Sequence, residues 1–379
     1  MRRIVLDGLP LAVRSAGVAT YTRELTRAMA ALAPDWSFAL FQPPWPRRDD
    51  GDPPPRANVS TLRSWRYPLV MGQPAPWARA VLPLESVVGA VSAFHGTTYA
   101  IPARHRAPLV ITVHDLALLR HPNFGSRALV AMVERAARGF ARADRLIAVS
   151  EATRADIAEL CDIDRARIDV VYNGCGSEFH PRDRDVCRRQ VEAVFAVAGP
   201  FILHVGTLEP RKNLPNLIRA FARLRRERGI PHRLVLAGAP GWGGEPLREI
   251  AAGEGVADHV VLPGRVAKEL LPILYGAADV FAYPSLYEGF GLPVIEAMAS
   301  GTPIVASDRG ALPEIAGGGA RLVDPTDCDA IAGAIGELLD NPAQAAALTA
   351  EGLKRAAQFS WARAARETLA IYTSVIDGA

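Results

Sequence analysis

Short runs of apolar, β-branched residues alternate along this chain with longer stretches in which apolar residues recur at i, i+3 and i+4. That alternation predicts repeating βα units and an α/β fold built on mainly parallel sheets. A first series of strands is predicted at Arg3–Asp7, Ser37–Gln42, Ala93–His95, Leu109–His114, Arg145–Ser150 and Ile168–Tyr172. A second begins at Phe201–Gly206 and continues with Arg233–Ala237, His259–Leu262, Val280–Tyr283, Ile304–Ser307 and Ala320–Val323. Ser150 follows a strand and precedes Ile157 and Leu160 at helical spacing, so it is expected to cap a helix. A short charged helix ending in Ala198-Gly199-Pro200 marks the junction between the series. The chain therefore divides into a domain over 1–190 and another over 191–358. Two doubly wound lobes in series are expected to hold a ligand in the cleft between them, at the C-terminal ends of their strands.

Composition narrows the function classes. With 49% hydrophobic and 22% charged residues the chain is an ordinary globular protein, too apolar for disorder. Residues 1–150 hold 19 basic and 10 acidic side chains, an excess that attracts phosphates or anionic surfaces. This charge is spread arginine, without a basic run, an aromatic RNA-binding motif or a Cys/His finger, so nucleic acid is not expected as a partner. Cys161, Cys175, Cys187 and Cys328 form no CxxC pair and no zinc spacing, and read as reduced thiols of a cytoplasmic protein. No apolar stretch reaches the roughly 20 residues of a spanning helix, and the N-terminus lacks the apolar core of an export signal. Residues 43–55, with six prolines, are expected to form a surface loop. Arg63–Met71 and Trp77–Leu82 interleave aromatics, apolar residues and arginines, a composition suited to peripheral contact with the inner face of a membrane.

The richest stretch for chemistry is Pro284–Gly301. It follows a strand, turns on Gly289 and Gly291, and opens a helix with Pro293 in its first turn. Backbone N–H groups from Gly291 through Leu292 and Val294 form an anion site there, fit for a phosphate. Glu288 before the helix and Glu296 in its second turn offer acceptor-only carboxylates to sugar and ribose hydroxyls. Arg211 and Lys212 lie in the loop after another strand, where two cations can neutralise a departing diphosphate, and Asn213 stands at the N-cap of the next helix. His114 ends a strand and offers a donor and an acceptor to a ligand, and His95 is a weaker candidate for the same cleft. Gly17, at the start of the first long helix, lets backbone approach a phosphate. Three Asp-x-Asp tripeptides, Asp162/Asp164, Asp183/Asp185 and Asp327/Asp329, sit beside helix ends, where aspartate caps, and no metal site is assigned to them. The glycine order Gly238, Gly241, Gly243 is wrong for a GxGxxG dinucleotide loop.

Glu288 to Glu296, in the form EGFGLPVIEAMASG, matches the E-x7-E signature of the retaining glycosyltransferases of family 4, and the whole chain resembles that family. The likeness includes Gly17, His114-Asp115, Asn173-Gly174, the run Gly206-Thr207 to Asn213, and Pro263-Gly264-Arg265-Val266. It implies the GT-B fold, two facing Rossmann-like domains with an interdomain cleft, the first binding the acceptor and the second the nucleotide sugar. Residues 359–379 resemble the last helices of the family, which cross back to the N-terminal domain.

The resemblance implies roles residue by residue. His114, Arg211, Lys212 and Glu288 would be catalytic. Gly17, Gly206, Thr207, Gly264, Arg265, Val266, Gly289, Phe290, Gly291, Leu292, Pro293, Val294 and Glu296, with Glu288, would bind the donor. Many members carry arginine where this chain has Thr207, which makes Arg211 the more important guanidinium here. The implied activity is metal-independent, cofactor-free, retaining transfer of a hexose from a nucleotide diphosphate sugar to a saccharide or lipid-linked saccharide. GDP-mannose is the first choice among donors, because VGTLEPRKNL and SLYEGFGLP resemble bacterial mannosyltransferases of surface polysaccharide synthesis. A phosphorylase of the same fold and a non-catalytic nucleotide-sugar-binding scaffold are the rival readings. Phosphate-dependent release of a sugar phosphate would mark the first, and binding without turnover the second.

Overall fold

The computed structural model describes residues 1–13, 16–44, 56–71, 81–241, 243 and 246–378. Residues 45–55 of the proline-rich stretch, residues 77–80 of the arginine–aromatic segment and Trp242 of the glycine loop lie outside them. The chain forms two units, one of Met1–Gly174 with Ser360–Ala379 and one of Cys175–Phe359.

In the first unit the strands are β1 (Arg3–Asp7), β2 (Ser37–Gln42), β3 (Val59–Arg63), β4 (Ala93–Gly96), β5 (Leu109–Val113), β6 (Arg145–Ala148) and β7 (Ile168–Val170), in the order β3-β2-β1-β4-β5-β6-β7. In the second they are β8 (Phe201–Val205), β9 (Arg233–Ala237), β10 (Val260–Gly264), β11 (Val280–Tyr283), β12 (Ile304–Ser307) and β13 (Arg321–Val323), in the order β10-β9-β8-β11-β12-β13. Every neighbouring pair is parallel. All positions of β5, β8, β11 and β12 are buried, as a parallel sheet covered on both faces requires. Each unit is thus a Rossmann-like doubly wound domain. The strand order reverses between β1 and β4 and between β8 and β11, and loops leaving those pairs diverge to opposite faces.

Local rules place the helices. Ser150 Oγ accepts from Thr153 N at 3.0 Å and starts the helix Glu151–Cys161. On the helix Leu214–Arg228, the side chains of Leu217, Ile218 and Phe221 recur at i, i+1 and i+4 and lie buried in the core of the second sheet. Fully burying a side chain such as Phe221 contributes about 2–3 kcal/mol. Asp164, Asp183 and Asp327 each accept backbone N–H bonds at helix starts, and Asp162 ends a helix in the left-handed region.

One unit boundary and one strand differ from the sequence reading, beyond shifts of a residue or two at strand ends. Residues 175–190 group with the second unit, because Cys187 on the helix Arg184–Phe195 is buried and packs beside Gly276. Strand β3 was not expected. It is an edge strand whose positions are all at least partly exposed, so it lacks an apolar run. The C-terminal helix Trp361–Asp377, begun by Ser360 accepting from Arg363 N at 3.2 Å, packs within the first unit against the helix Ala16–Leu32. From the arginine–aromatic segment, Tyr67, Val70 and Met71 enter the core of the first unit, while Trp65 is exposed.

Candidate active site

The loops after β8 and β11, the pair at which the second sheet reverses its order, bring Arg211, Lys212 and Glu288 together. A turn at Pro210–Lys212 follows β8, and Leu286 N donates to Arg211 O at 2.8 Å, joining the two loops. Lys212 Nζ donates to Glu288 Oε1 at 2.5 Å and to the Tyr283 hydroxyl at 2.7 Å. Arg211 Nη1 donates to Glu288 Oε2 at 2.7 Å and to Tyr287 O at 3.2 Å, and its Nε meets Glu209 Oε1 at 2.6 Å. Lys212 and Glu288 are only 4% and 6% exposed, so these ions sit largely out of water.

Burial alone would raise the Glu288 carboxyl, but Arg211 and Lys212 outweigh it and hold the group at about 2. Burial and Arg211 lower Lys212, and Glu288 pulls it back up. Two cations face two carboxylates, Glu209 and Glu288, so their formal charges cancel. Glu288 accepts from Arg211, from Lys212 and from the Tyr283 hydroxyl, and of its roughly four lone-pair sites one is left for a ligand hydroxyl. The third Lys212 proton remains available to an anion.

Asn213 does not cap its helix as expected. It lies in the left-handed region, and its side-chain amide donates to Pro284 O at 3.2 Å and Pro325 O at 2.6 Å, tying the ends of neighbouring strand loops together. Gly291, at φ +98°, opens the helix Leu292–Ala299 with Pro293 in its first turn, and a Cβ there would lie 2.6 Å from Leu312. Helical geometry directs the free N–H groups of that first turn out beyond Gly291. Glu296 accepts from the Tyr275 hydroxyl at 3.0 Å, and burial pushes its carboxyl up to about 7.

Gly206, Gly238 and Gly264 close the same end of the sheet. Gly206 N bonds Ala237 O at 3.0 Å and Gly238 N bonds Gly264 O at 2.9 Å, and a Cβ on Gly238 would lie 1.7 Å from Gly206 O. Thr207 and Val266 are partly exposed and Arg265 is exposed, leaving this edge accessible.

The first unit holds Gly17 and His114. Gly17 lies exposed in the first turn of the helix Ala16–Leu32. His114, partly exposed just beyond β5, places Nε2 2.9 Å from Thr97 O. A carbonyl oxygen only accepts, so Nε2 carries the proton. Burial lowers the pKa of the ring, favouring the neutral form, and Nδ1 is then an acceptor. Thr97 is anchored in turn by its hydroxyl on Asp7 O at 2.6 Å. The Asp7 carboxylate, fully buried, accepts from Tyr67, Thr98 and Leu9. His95, the weaker candidate, offers nothing to a ligand. It is fully buried with both ring nitrogens bonded, and burial pushes it down to about 3.

Sequence reasoning passed over Glu209, Tyr275 and Tyr283. Glu209 and Tyr283 flank motifs already singled out, two residues before Arg211 and one before Pro284. Tyr275 carries no local signal, since it comes from the helix Leu271–Ala277.

Two parallel doubly wound units, one with a carboxylate gripped by two cations where its sheet order reverses, have the architecture of a glycosyltransferase of GT-B type. The sequence comparisons agree: residues 15–178 match the model for Glycosyltransferase Family 4 and residues 190–355 that for Glycosyl transferases group 1. The chain belongs to this family and is a glycosyltransferase. It is 34% identical over 281 residues to O-antigen chain mannosyltransferase B of Escherichia coli, spanning 74% of this chain and 73% of that one. It is 38% identical over 252 residues to the MMP alpha-(1->4)-mannosyltransferase of Mycolicibacterium hassiacum, spanning 65% of this chain and 57% of that one. Sucrose-phosphate synthase from Thermosynechococcus elongatus shares the fold, with a TM-score of 0.76, 24% identity and full coverage of both chains. So does Anabaena HepE, solved with UDP and glucose, with a TM-score of 0.76, 20% identity, and 99% and 100% coverage. Among the described residues, no helix is long and apolar enough to cross a membrane.

Proposed function

We propose that this glycosyltransferase moves mannose from GDP-mannose, with retention and without a metal, to a hydroxyl of a saccharide or lipid-linked saccharide in polysaccharide or glycolipid synthesis. The observation that carries the reading is the buried Glu288 carboxylate held by Arg211 and Lys212. The mannosyltransferase names of the relatives support the choice of sugar. In this reading the diphosphate leaves from the face that the acceptor hydroxyl attacks, and a leaving-group oxygen takes the acceptor's proton. Arg211, Lys212 and the N–H groups at Gly291 and Leu292 meet the charge that grows on the diphosphate, supplying what a metal ion supplies elsewhere. Glu288 keeps its cations and accepts from sugar hydroxyls, and Glu296 accepts from the ribose. Gly206, Thr207 and the backbone at Gly264–Val266 border the nucleotide, and Gly17 borders its phosphates. His114 accepts a hydrogen bond from a substrate hydroxyl through Nδ1.

The test is a thermal-shift panel of GDP-, UDP- and dTDP-sugars with and without EDTA, followed by NMR of the product anomer. A ligand that binds only the folded state raises its melting temperature. The expected result is a shift with GDP-mannose that EDTA leaves unchanged, and a product of unchanged anomeric configuration. A shift confined to another base overturns the donor, loss of the shift in EDTA overturns the metal-free site, and an inverted product overturns retention. Sugar phosphate released only when inorganic phosphate is added would identify a phosphorylase instead.

A further inference from the structure

We propose that Tyr21 is a positioning residue for His114, and that Tyr372 on the C-terminal helix is the far anchor of the hydrogen-bonded chain that holds Tyr21 in place. The proposal rests on the role given to His114 above. A single bond from Nε2 to Thr97 O leaves an imidazole free to rock about that contact. The Tyr21 ring closes the free side, at 4.7 Å between centroids and 83° between planes. Thr112 lies in β5 and His114 just beyond its end, two residues on. Tyr21 spans both. Its ring meets His114, and its hydroxyl lies 2.7 Å from Thr112 Oγ1.

The chain then continues away from the site. Thr112 Oγ1 lies 2.8 Å from His95 Nε2, and His95 Nδ1 lies 2.5 Å from the Tyr372 hydroxyl. Tyr21 is 1% exposed and Thr112, His95 and Tyr372 are fully buried, so water cannot replace a missing partner. With His95 neutral, either tautomer satisfies every link: Tyr372 donates to Nδ1 and Nε2–H to Thr112, or Nδ1–H donates to Tyr372, Thr112 to Nε2 and Tyr21 to Thr112. Removing the Tyr372 hydroxyl strands Nδ1. The bond that fixes the His95 ring is then lost in either tautomer, which frees that ring, and with it the Thr112 hydroxyl and the Tyr21 ring it holds, to shift. A residue 277 positions from His95 in sequence thereby acts on the ring beside the substrate.

The experiment reads His114 directly. Protein labelled with 15N-histidine is compared as wild type, Tyr21→Leu and Tyr372→Phe, with the His114 signals assigned by their loss in His114→Gln. The expected wild-type ring is a single tautomer with its proton on Nε2. Tyr21→Leu should show averaged nitrogen shifts, and Tyr372→Phe a smaller change in the same direction, while His204 and His232 stay fixed. Unchanged His114 nitrogens in both variants overturn the proposal. If Tyr21→Leu does not fold, Tyr372→Phe, which loses one oxygen, decides alone.

A second readout is release of nucleoside diphosphate from GDP-mannose or UDP-glucose. Tyr21→Leu should lower kcat on the order of 10- to 100-fold, as small misplacements of an active-site group do. It should add nothing in a His114→Ala background, and full additivity there counts against positioning. If His114→Ala itself leaves release unchanged, the role assigned to His114 is wrong, while the nitrogen signature still decides whether Tyr21 and Tyr372 hold the ring.

Discussion

Replacing Glu296 by Gln separates what the donor helix needs for binding from what it needs for stability. Burial moves this carboxyl from 4.5 up to about 7, against the pull of the Tyr275 hydroxyl and Lys268. The folded chain therefore binds this proton more tightly than the unfolded chain does. The benefit is full below the unfolded value and declines as pH rises through the folded one. At about 1.4 kcal/mol per pH unit, the ionised carboxylate costs about 3 kcal/mol above pH 7. Part of Glu296 reaches solvent, and screening reduces the figure to about 1–2 kcal/mol. Glutamine still accepts from Tyr275 and cannot ionise. Thermal unfolding of the variant should therefore run about 2–8 °C above wild type near pH 8 and level with it near pH 5, at about 2–4 °C per kcal/mol for a unit of this size. The same variant should bind nucleotide sugar more weakly, because a neutral amide replaces the carboxylate proposed for the ribose. A lower melting temperature near pH 8, or an equal shift at both pH values, would refute the reasoning.

Lys212→Met should lower sugar transfer about 10²- to 10³-fold with the fold retained, the loss typical of one charge-stabilising donor. Acid unfolding of the same variant gives a second check. The depressed Glu288 contributes stability that is full above pH 4.5 and lost as pH falls toward about 2; without Lys212 the folded value rises toward 4.5, so this contribution should be smaller and its loss complete at a higher pH. Gly310→Ala should weaken donor binding and lower the melting temperature, since Gly310 sits at φ +58° and a Cβ would lie 2.6 Å from Glu288 O. Gly255→Ala, at φ +73° with nothing within 4 Å, carries the backbone strain alone, about 1–2 kcal/mol. Equal behaviour of these two variants in a nucleotide-binding titration would show that Gly310 does not set the place of Glu288.

Much of the architecture was legible because a doubly wound fold writes its strands as continuous apolar runs. Arg3–Asp7, Ser37–Gln42, Arg233–Ala237, Val280–Tyr283 and Ile304–Ser307 match residue for residue. β3 escaped because an edge strand needs no apolar run, and Ser60, Thr61 and Arg63 hide it. Glu288, Glu296, Arg211 and Lys212 could be named from their spacing, but their electrostatics could not. The grip on Glu288 depends on Tyr283 and Glu209, and the raised Glu296 carboxyl on burial beside Tyr275. The fate of His95 was invisible for a similar reason. Its partners, Thr112 and Tyr372, come from a neighbouring strand and the far end of the chain.

The second unit is one unbroken stretch, Cys175–Phe359, and its two ends meet where Cys175 N donates to Phe359 O at 3.2 Å. Topologically it is an insert with joined termini, set into a first unit that resumes at Ser360. A segment whose ends already touch can be exchanged for another of the same kind without opening a gap in its host or stretching a linker. Under the function proposed above, donor preference would travel with that inserted segment, as a cassette, while the sheet that carries His114 stays as it is.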